Sequence, residues 1–203
     1  NQTQKDAICT LVKQLQDSSL WTKMVAVYPF VGGTASTHKW NLKNPINSDA
    51  AYRIVFFGGW THSSNGALPN GINAYADTRI ISGVAISASS IHFSKFNRTN
   101  DLTGNKIDGT YDVYNNTFFQ ANYSAGNAIV GGFGSILTYT PTDTRGFFVT
   151  SRTSLSLIKT FRNGTQLGSS TTAITGIPTL VYTYIGARAE APIPSFFNTY
   201  ECS

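Results

Sequence analysis

The sequence is poor in charged residues, and this scarcity excludes several classes of protein. Lys, Arg, Asp and Glu make up 12% of the 203 residues, about half of the share that is usual in soluble proteins. The hydrophobic share of 41% is enough for a core, so the low charge does not indicate a disordered chain. The formal net charge is +5, but the basic residues are scattered, whereas a nucleic-acid surface needs them clustered. We therefore expect a folded domain with no nucleic-acid partner.

Long apolar runs are also missing. No stretch of about 18 apolar residues occurs, which is the length that a membrane-spanning helix requires. The first residues show no basic segment followed by an apolar one, which is the pattern of a secretory leader. We expect no membrane partner.

Cysteine is rare, and its two copies lie far apart in sequence, at Cys9 and Cys202. Two thiols alone do not make a metal site. The ends of a domain are often close in space, so a disulfide between them is conceivable. The alternative, which we favour, is that both remain unpaired and pack as small hydrophobic residues.

Glutamate is scarce as well, with only Glu190 and Glu201, although a glycosidase needs two carboxylates that flank the scissile bond. Asp108 and Asp112 are the best-spaced pair, but four residues along a strand separate them by about 13 Å, more than either glycosidase geometry allows. The sequence has no Gly-x-Ser-x-Gly motif of a serine nucleophile. The run Gly131-Gly132-Phe133-Gly134 lacks the Lys-Ser/Thr of a phosphate loop. We predict no catalytic residues, no cofactor and no enzymatic activity.

Metal ligands are not evident either. The three histidines are far apart and have no acids or cysteines at ligand spacing, and His38 is interpreted as a packing or hydrogen-bonding residue. Asp77, Asp101 and Asp108 are conceivable calcium ligands, but calcium requires six to eight oxygens. The sequence shows no convergence of such oxygens, so we predict no metal site.

What the sequence does contain begins with a helix over residues 1–20. Its apolar stripe, at the spacing of an amphipathic helix, is Ile8, Leu11, Val12 and Leu15. Thr3 and Asp6 resemble a capping box, and the helix should end near Ser18 and Ser19. We expect the stripe to be buried where the helix packs on the rest of the domain.

The remainder of the chain is typical of short strands separated by Gly, Asn, Ser and Asp. The predicted strands are Met24–Phe30, Arg53–Phe57, Val84–Phe93, Tyr111–Tyr114, Thr117–Asn122, Ile136–Tyr139, Phe147–Ser151, Leu155–Phe161 and Leu180–Ile185. The pair Asn163-Gly164 after a strand indicates a hairpin, because both residues tolerate positive φ. No long helical pattern returns, which favours an antiparallel sandwich over parallel units with crossover helices. We predict a single all-β domain over residues 1–203.

A long loop is predicted over Gly58–Asp77, and long loops on a rigid scaffold often carry function. Its aromatic, imidazole and amide side chains suit the apolar faces and hydroxyls of a sugar. The candidate glycan-binding residues are Trp60, His62, Asn65, Asn70 and Tyr75. The alternative, which we favour for each residue taken singly, is a self-packed loop that Trp60 and Tyr75 anchor to the core.

Four segments resemble a known family. They are Tyr28–Lys43 (YPFVGGTASTHKWNLK), Phe56–Thr78 (FFGGWTHSSNGALPNGINAYADT), Ser151–Gly164 (SRTSLSLIKTFRNG) and Tyr184–Ala187 (YIGA). Together they are similar to concanavalin A-like (LamG-like) jelly-roll domains in structural proteins of tailed phages. The resemblance implies a two-sheet antiparallel jelly-roll sandwich on the surface of an extracellular virion. It also implies other virion subunits as partners and a host-surface glycan as a possible ligand.

Three functions follow from these observations. The first is a non-catalytic structural or decoration module of a phage-type particle, with glycan binding as a compatible addition. The second is a dedicated lectin-like receptor-binding domain. The third and least favoured is a carbohydrate-active hydrolase, since suitably paired carboxylates are not evident. The sequence does not predict an oligomeric state.

Overall fold

The computed structural model describes residues 1–87, 89–103, 106–111, 116–124, 127–129, 137–140, 142–173, 182–190 and 193–203. These residues form mostly strands in sheets, together with one longer helix and a few short ones. The prediction of a β-rich domain with an N-terminal helix and little other helix is confirmed at this level.

The helices are α1 (Gln2–Asp17), α2 (Ala35–His38) and α3 (Ser82–Ala85), with 3₁₀ helices at Trp21–Lys23 and Asp49–Ala51. The strands are β1 (Val55–Phe57), β2 (Trp60–Ser63), β3 (Gly66–Pro69), β4 (Tyr75–Ile81), β5 (Ile91–Asn97), β6 (Lys106–Tyr111), β7 (Asn116–Ser124), β8 (Asn127–Ile129), β9 (Thr138–Tyr139), β10 (Gly146–Ser154), β11 (Leu157–Arg162), β12 (Thr165–Ser170), β13 (Tyr182–Ile185) and β14 (Arg188–Glu190).

The strands form two larger sheets and a hairpin. The larger sheet has the order β1-β4-β13-β6-β7-β8-β9, with β14 also paired to β6. The second sheet has the order β12-β11-β10-β5, and β2 pairs with β3. Among the described strands, β14 and β6 run parallel and the other pairs are antiparallel.

The core lies where three parts of the chain meet. They are the larger sheet, the β2–β3 hairpin and residues 193–203, which we call the C-terminal segment. The main buried cluster of the core consists of Phe30, Ile54, Ala67, Ala76, Ile185 and Cys202. The C-terminal segment pairs with the hairpin, because Ala67 and Cys202 exchange two backbone hydrogen bonds of 2.9 Å. It also reaches the second sheet, where the Ser203 amide donates to the Phe96 carbonyl at 3.3 Å. The last residues of the chain therefore connect both parts of the fold.

Helix α1 forms as predicted and ends at the predicted place, with Ser18 as its C-terminal cap. Its N-terminal cap differs from the prediction, because the Asn1 side chain accepts a hydrogen bond from the Gln4 amide at 2.9 Å. Thr3 lies inside the first turn, so the proposed capping box of Thr3 and Asp6 is wrong. Asparagine is among the best N-capping residues, and Asn1, which precedes Thr3 in the chain, is the N-cap of α1.

The predicted apolar stripe of α1 is not buried in this chain. Ile8, Val12 and Leu15 are half-buried, and Leu11 is exposed. No residue of the helix is fully buried. The spacing of apolar residues therefore predicted the helix but not the extent of its packing.

Two predicted strands are wrong in whole or in part. Met24–Phe30 contains no strand, and the Val27 amide there donates to the Asn41 side chain at 3.0 Å and not to a neighbouring strand. Val84–Phe93 begins inside α3, and its strand starts only at Ile91. The helical turn holds the Ser82 hydroxyl 2.9 Å from that of Thr183. The buried residues at this point are Ser82 and Thr183, which contact each other through their hydroxyls. An alternation of apolar residues does not predict a polar contact of this kind.

The Gly58–Asp77 segment is not the long loop that was predicted. It contains the complete β2–β3 hairpin and the start of β4. Polar residues alternate with apolar ones in this segment, and the runs are too short to stand out as strands. The Asn163-Gly164 hairpin is confirmed, since it joins β11 to β12 with φ values of 49° and 83°.

The other predicted strands overlap β1, β6, β7, β9, β10, β11 and β13. Parts of them, at residues 112–114, 136 and 180–181, lie outside the described residues, as does the glycine-rich run at residues 131–134. Cys9 is exposed and Cys202 is buried, and neither is in a disulfide. The prediction that both are unpaired is confirmed, but only Cys202 packs as a small hydrophobic residue, and the prediction is wrong for the exposed Cys9. Burial raises the pKa of Cys202 to about 11.

Candidate functional site

Trp60 is a packing residue on the hairpin. Its indole Nε1 donates to the Tyr75 carbonyl at 3.3 Å, and its ring meets the Phe56 ring edge to face at 5.3 Å. A Cβ atom on Gly186 would lie 2.8 Å from the Trp60 ring, so the backbone there approaches the indole as closely as only glycine allows. Trp60 thus joins the hairpin to the end of β13.

His62 lies on the same strand and forms a pair with His38. Their Nδ1 atoms are 2.9 Å apart, and the Gly33 amide donates to His38 Nε2 at 3.1 Å. Because an amide only donates, His38 Nε2 carries no proton, and the neutral ring is protonated at Nδ1. It follows that His38 donates to His62, whose own proton lies on Nε2. Each ring therefore holds one defined tautomer.

The surroundings of this pair favour two neutral rings. Burial, and to a smaller extent neighbouring His62, lowers the pKa of His38 to about 4. Burial lowers the pKa of His62 as well. A proton added to His62 Nδ1 would face the His38 Nδ1 proton at 2.9 Å, and one added to His38 Nε2 would face the Gly33 amide at 3.1 Å, so either would set two donors against each other.

Asn65 and Asn70 serve different parts of the segment. Asn65 is exposed at the hairpin turn, and its amide donates to Ser63 Oγ at 3.1 Å. The Asn70 side-chain oxygen accepts from the amides of Ile72, Asn73 and Ala74 at 3.0 to 3.2 Å. The Asn70 side chain is thus used within the turn before β4. Of the predicted residues, Trp60 and His62 lie together, with ring centroids 6.2 Å apart, and glycan binding by any of the five stays a prediction.

Tyr75, the fifth predicted residue, belongs to a stack of three rings on the larger sheet. Its ring lies 4.8 Å from that of Phe57 with an angle of 11° between their planes. Its other side lies 4.8 Å from the Tyr184 ring. The sheet explains the stack, because Phe57 is the register partner of Tyr75 and Tyr184 is the partner of Asp77, two residues further along. Residues two apart on a strand share one face.

A bulge in β4 places a cation next to this stack. The register shifts between Tyr182 and Tyr184, and within the extra residues of β4 Arg79 has a φ of 61°. A left-handed conformation is unusual for arginine, and bulges often redirect a side chain. Here the guanidinium carbon of Arg79 lies 5.5 Å from the centre of the Tyr182 ring. We call Phe57, Tyr75, Tyr182, Tyr184 and Arg79 the aromatic platform.

Acidic side chains hold Arg79 in this position. Asp77 accepts from the Arg79 amide at 2.8 Å, and its carboxylate lies 3.2 Å from the Arg79 guanidinium. Asp49 lies 3.6 Å from Arg79 Nε and 2.8 Å from Arg53. The pKa of Tyr184 is raised to about 12 by burial and by Asp77. Its hydroxyl therefore stays protonated near neutral pH and can donate a hydrogen bond.

The aromatic platform is open at its two ends. Phe57 and Tyr182 are each 38% exposed, and β1 is the last strand on its side of the sheet among the described residues. Ring faces and edges, phenol hydroxyls and a guanidinium are the groups that recognise sugars in proteins. The sequence indicated Tyr75 but not its neighbours. The spacing of Tyr182 and Tyr184, two residues apart on one strand, was the sequence feature that could have indicated a second pair of rings on the same face.

The carboxylates that we considered as calcium ligands are each paired with a cation. Asp77 contacts Arg79, Asp101 lies 3.0 Å from Lys106, and Asp108 lies 2.8 Å from Lys95. In the described parts of the chain, no group of three or more His, Cys, Asp or Glu residues is placed to hold a metal. Asp112, the other member of the carboxylate pair considered for catalysis, lies outside them.

No described helix is long and apolar enough to cross a membrane. Comparisons with known proteins give no relatives: no family model, no curated protein and no solved structure matches the chain.

Proposed function

We propose that the chain is a non-catalytic structural or attachment module of a phage-type particle that binds a surface glycan through the aromatic platform. The four segments quoted above support this proposal by their resemblance to concanavalin-like jelly-roll domains of phage structural proteins. The β-rich sheets are compatible with such a jelly roll. Other virion subunits would be its structural partners, and its place would be the outside of the particle.

The observation that carries the binding proposal is the ring stack with Arg79 beside it. An exposed edge of tightly stacked rings offers apolar surface to the C–H face of a sugar. The Tyr184 hydroxyl and the Arg79 guanidinium lie along the same face and offer hydrogen bonds to sugar hydroxyls. Asp49 and Asp77 balance the charges of Arg53 and Arg79, which favours a neutral glycan over a strongly acidic one.

The carboxylates near the platform support binding without hydrolysis. Hydrolysis needs one protonated and one ionised carboxyl that are both free to reach the sugar. Asp77 is buried against Arg79, and Asp49 is paired with two arginines. Burial raises the pKa of Asp77, with Arg79 opposing that shift, but the side chain is too deeply buried to reach a sugar. Reducing-sugar release from any glycan that binds should therefore stay at background.

The test compares two exposed phenylalanines on different sheets. A glycan array first identifies a ligand for the wild-type protein, and titration then measures its Kd. Phe57→Ala should weaken binding about tenfold, which corresponds to about 1.4 kcal/mol. Phe147→Ala is the matched control, because Phe147 is 44% exposed on the second sheet and away from the platform. Its Kd should equal that of the wild type.

Two results would contradict the proposal. Absence of binding to any glycan would remove the binding part and leave the structural role, which antibody labelling of assembled particles tests separately. Loss of binding in Trp60→Phe with an unchanged Kd in Phe57→Ala would move the site to the hairpin, because phenylalanine keeps most of the packing of Trp60.

A further inference from the structure

A lysine, a carboxylate and an amide meet in the core of the domain. Lys95 lies on β5, Asp108 on β6 and Asn198 in the C-terminal segment. Lys95 Nζ lies 2.8 Å from Asp108 Oδ2, and Asn198 Nδ2 donates to the same oxygen at 3.0 Å. Asp108 and Asn198 have no exposed surface, and Lys95 is 7% exposed. One carboxylate oxygen therefore brings an amine and a carboxamide together away from solvent.

The backbone fixes the remaining polar atoms of this group. The Tyr200 amide donates to Asn198 Oδ1 at 2.6 Å, and the Gly186 amide donates to Asp108 Oδ1 at 2.6 Å. A backbone amide on a carbonyl oxygen stabilises negative charge that develops there, as in an oxyanion hole. The Tyr200 ring, 5.8 Å from Lys95 Nζ and fully buried, covers the amine. The carboxamide is thus fixed at both its oxygen and its nitrogen, and the Tyr200 amide polarises its carbonyl.

From this geometry we propose that Lys95 and Asn198 join in an intramolecular isopeptide bond, with Asp108 as the catalytic residue. Asp108 first takes a proton from the Lys95 ammonium, which leaves a neutral amine. The Nζ lone pair attacks Asn198 Cγ, and the Tyr200 amide stabilises the resulting oxyanion. Asp108 passes this proton to Nδ2, the Cγ–Nδ2 bond breaks, and ammonia leaves. Asp108 then takes the second proton from Nζ and gives it to the ammonia, which departs as ammonium and leaves Asp108 ionised. The products are a Cγ–Nζ amide and one ammonium ion, with no oxidant or reductant.

Burial makes the first step accessible. Burial lowers the pKa of Lys95, while the charge of Asp108 and its hydrogen bond raise it by more, so the ion pair is the resting state. Low dielectric penalises both charges of that pair, and moving one proton along the 2.8 Å contact removes both at once. Holding two reactants side by side replaces a bimolecular encounter by an intramolecular step, which can compensate for a poor leaving group.

A second lysine–aspartate pair in the same region lacks these features and provides a control. Lys106 Nζ lies 3.0 Å from Asp101 Oδ2, with side-chain exposures of 10% and 18%. The other side-chain partners of that carboxylate are the hydroxyls of Thr103 and Thr199. A hydroxyl has no carbonyl carbon for an amine to attack. Lys106 should therefore keep its free amine while Lys95 loses it.

The decisive measurement is the mass of the purified wild-type protein. We expect the intact mass to be lower than the sequence mass by one ammonia. Trypsin should fail to cleave after Lys95, and fragment spectra should show the Lys95 peptide joined to the peptide that contains Asn198. Lys95→Met, Asp108→Asn and Asn198→Ala should each restore the full mass of their own sequences. Lys106→Met should still lack one ammonia.

Two results would overturn the proposal. The first is an intact mass equal to the sequence mass. The second is a missing ammonia that maps to Asn65-Gly66, Asn70-Gly71 or Asn163-Gly164, where succinimide formation releases the same molecule, together with normal cleavage after Lys95. Peptide mapping of the wild type decides between these results even if the core variants fail to fold. The inference does not depend on glycan binding.

Discussion

The Lys95–Asp108 pair and the His38–His62 pair each contain a wholly buried side chain, but they are stabilised in opposite ways. Before any bond forms between Lys95 and Asn198, the first pair is ionised and each charge compensates the other. The histidine pair is neutral, and it depends on one ring donating and the other accepting. The first pair therefore depends on charge, and the second depends on the absence of charge.

The difference comes from the neighbours. Asp108 receives hydrogen bonds from a backbone amide and a carboxamide in addition to the lysine, so its negative charge is well solvated by the protein. The histidines lie against the rings of Phe30 and Phe56, which offer no compensation for a positive charge. Substitutions and pH should therefore affect the two pairs differently.

Removing one charge from the ionised pair should have the largest effect. Asp108→Ala leaves the Lys95 ammonium buried without its partner, which typically costs about 3 to 5 kcal/mol in the free energy of unfolding. Urea denaturation measures the difference between Asn198→Ala and the double variant Asn198→Ala/Asp108→Ala, because neither protein can form the bond between Lys95 and residue 198. Asp101→Ala is the comparison, and its cost should be smaller because the Lys106–Asp101 pair is less deeply buried, with side-chain exposures of 10% and 18% against 5% and 0% for Lys95 and Asp108. Equal costs would show that burial does not distinguish the two pairs.

Acid should destabilise the protein through the histidine pair by an intermediate amount. The pKa of His38 is about 4 in the folded protein, below the ordinary value of 6.5. The unfolded chain therefore binds the proton more tightly, and stability falls as the pH drops from about 6.5 towards 4. We expect a loss of about 2 kcal/mol over this interval, measured by urea denaturation at a series of pH values.

The variant His62→Asn removes the contribution of His62 and leaves in place the burial of His38, the larger cause of its low pKa. Its side-chain oxygen can still accept from His38 Nδ1, but it cannot take up a proton. The pH dependence between 6.5 and 4 should become smaller than in the wild type, although Asp and Glu residues contribute equally to both. An unchanged pH profile would mean that the pair does not control acid stability.

The exposed ion pair on α1 should show the smallest effect. Lys13 and Asp17 lie 2.8 Å apart with exposed fractions of 74% and 61%. Exposed pairs four residues apart on a helix contribute about 0.3 to 0.5 kcal/mol. Lys13→Ala should change the free energy of unfolding by no more than this amount in urea denaturation. A loss above about 1 kcal/mol would indicate that α1 contributes more to the fold than its half-buried stripe suggests.

Local patterns explain which elements could be predicted. The stripe of Ile8, Val12 and Leu15 predicted α1, and Asn163-Gly164 predicted a hairpin, because each depends on residues a few positions apart. The alternation in β5 also contained an unused signal. Ile91 and Lys95 share one phase of the strand, and a lysine at a core-facing position indicates a buried partner.

Contacts between distant segments could not be predicted in the same way. Asp108 appeared as a calcium or catalytic candidate, and its role became clear only when Lys95 and Asn198 were placed beside it. The aromatic platform depends on the register of three strands, and on a bulge at Arg79 that no alternation reveals. Within a helix or a strand, the spacing of apolar residues indicates which side chains share a face. A single sequence contains no comparable pattern that indicates which residues pair across about 100 positions.

The placement of the C-terminal segment also constrains when the domain can fold during synthesis. Asn198, Tyr200 and Cys202 are buried at the centre of the structure, and Cys202 pairs with Ala67, which the ribosome makes much earlier. A nascent chain therefore exposes the unfilled edges of β3 and β5 until residues 198–203 have emerged. Unpaired strand edges are prone to aggregation. Release of the segment around residue 203 from the exit tunnel is thus the step that closes the core.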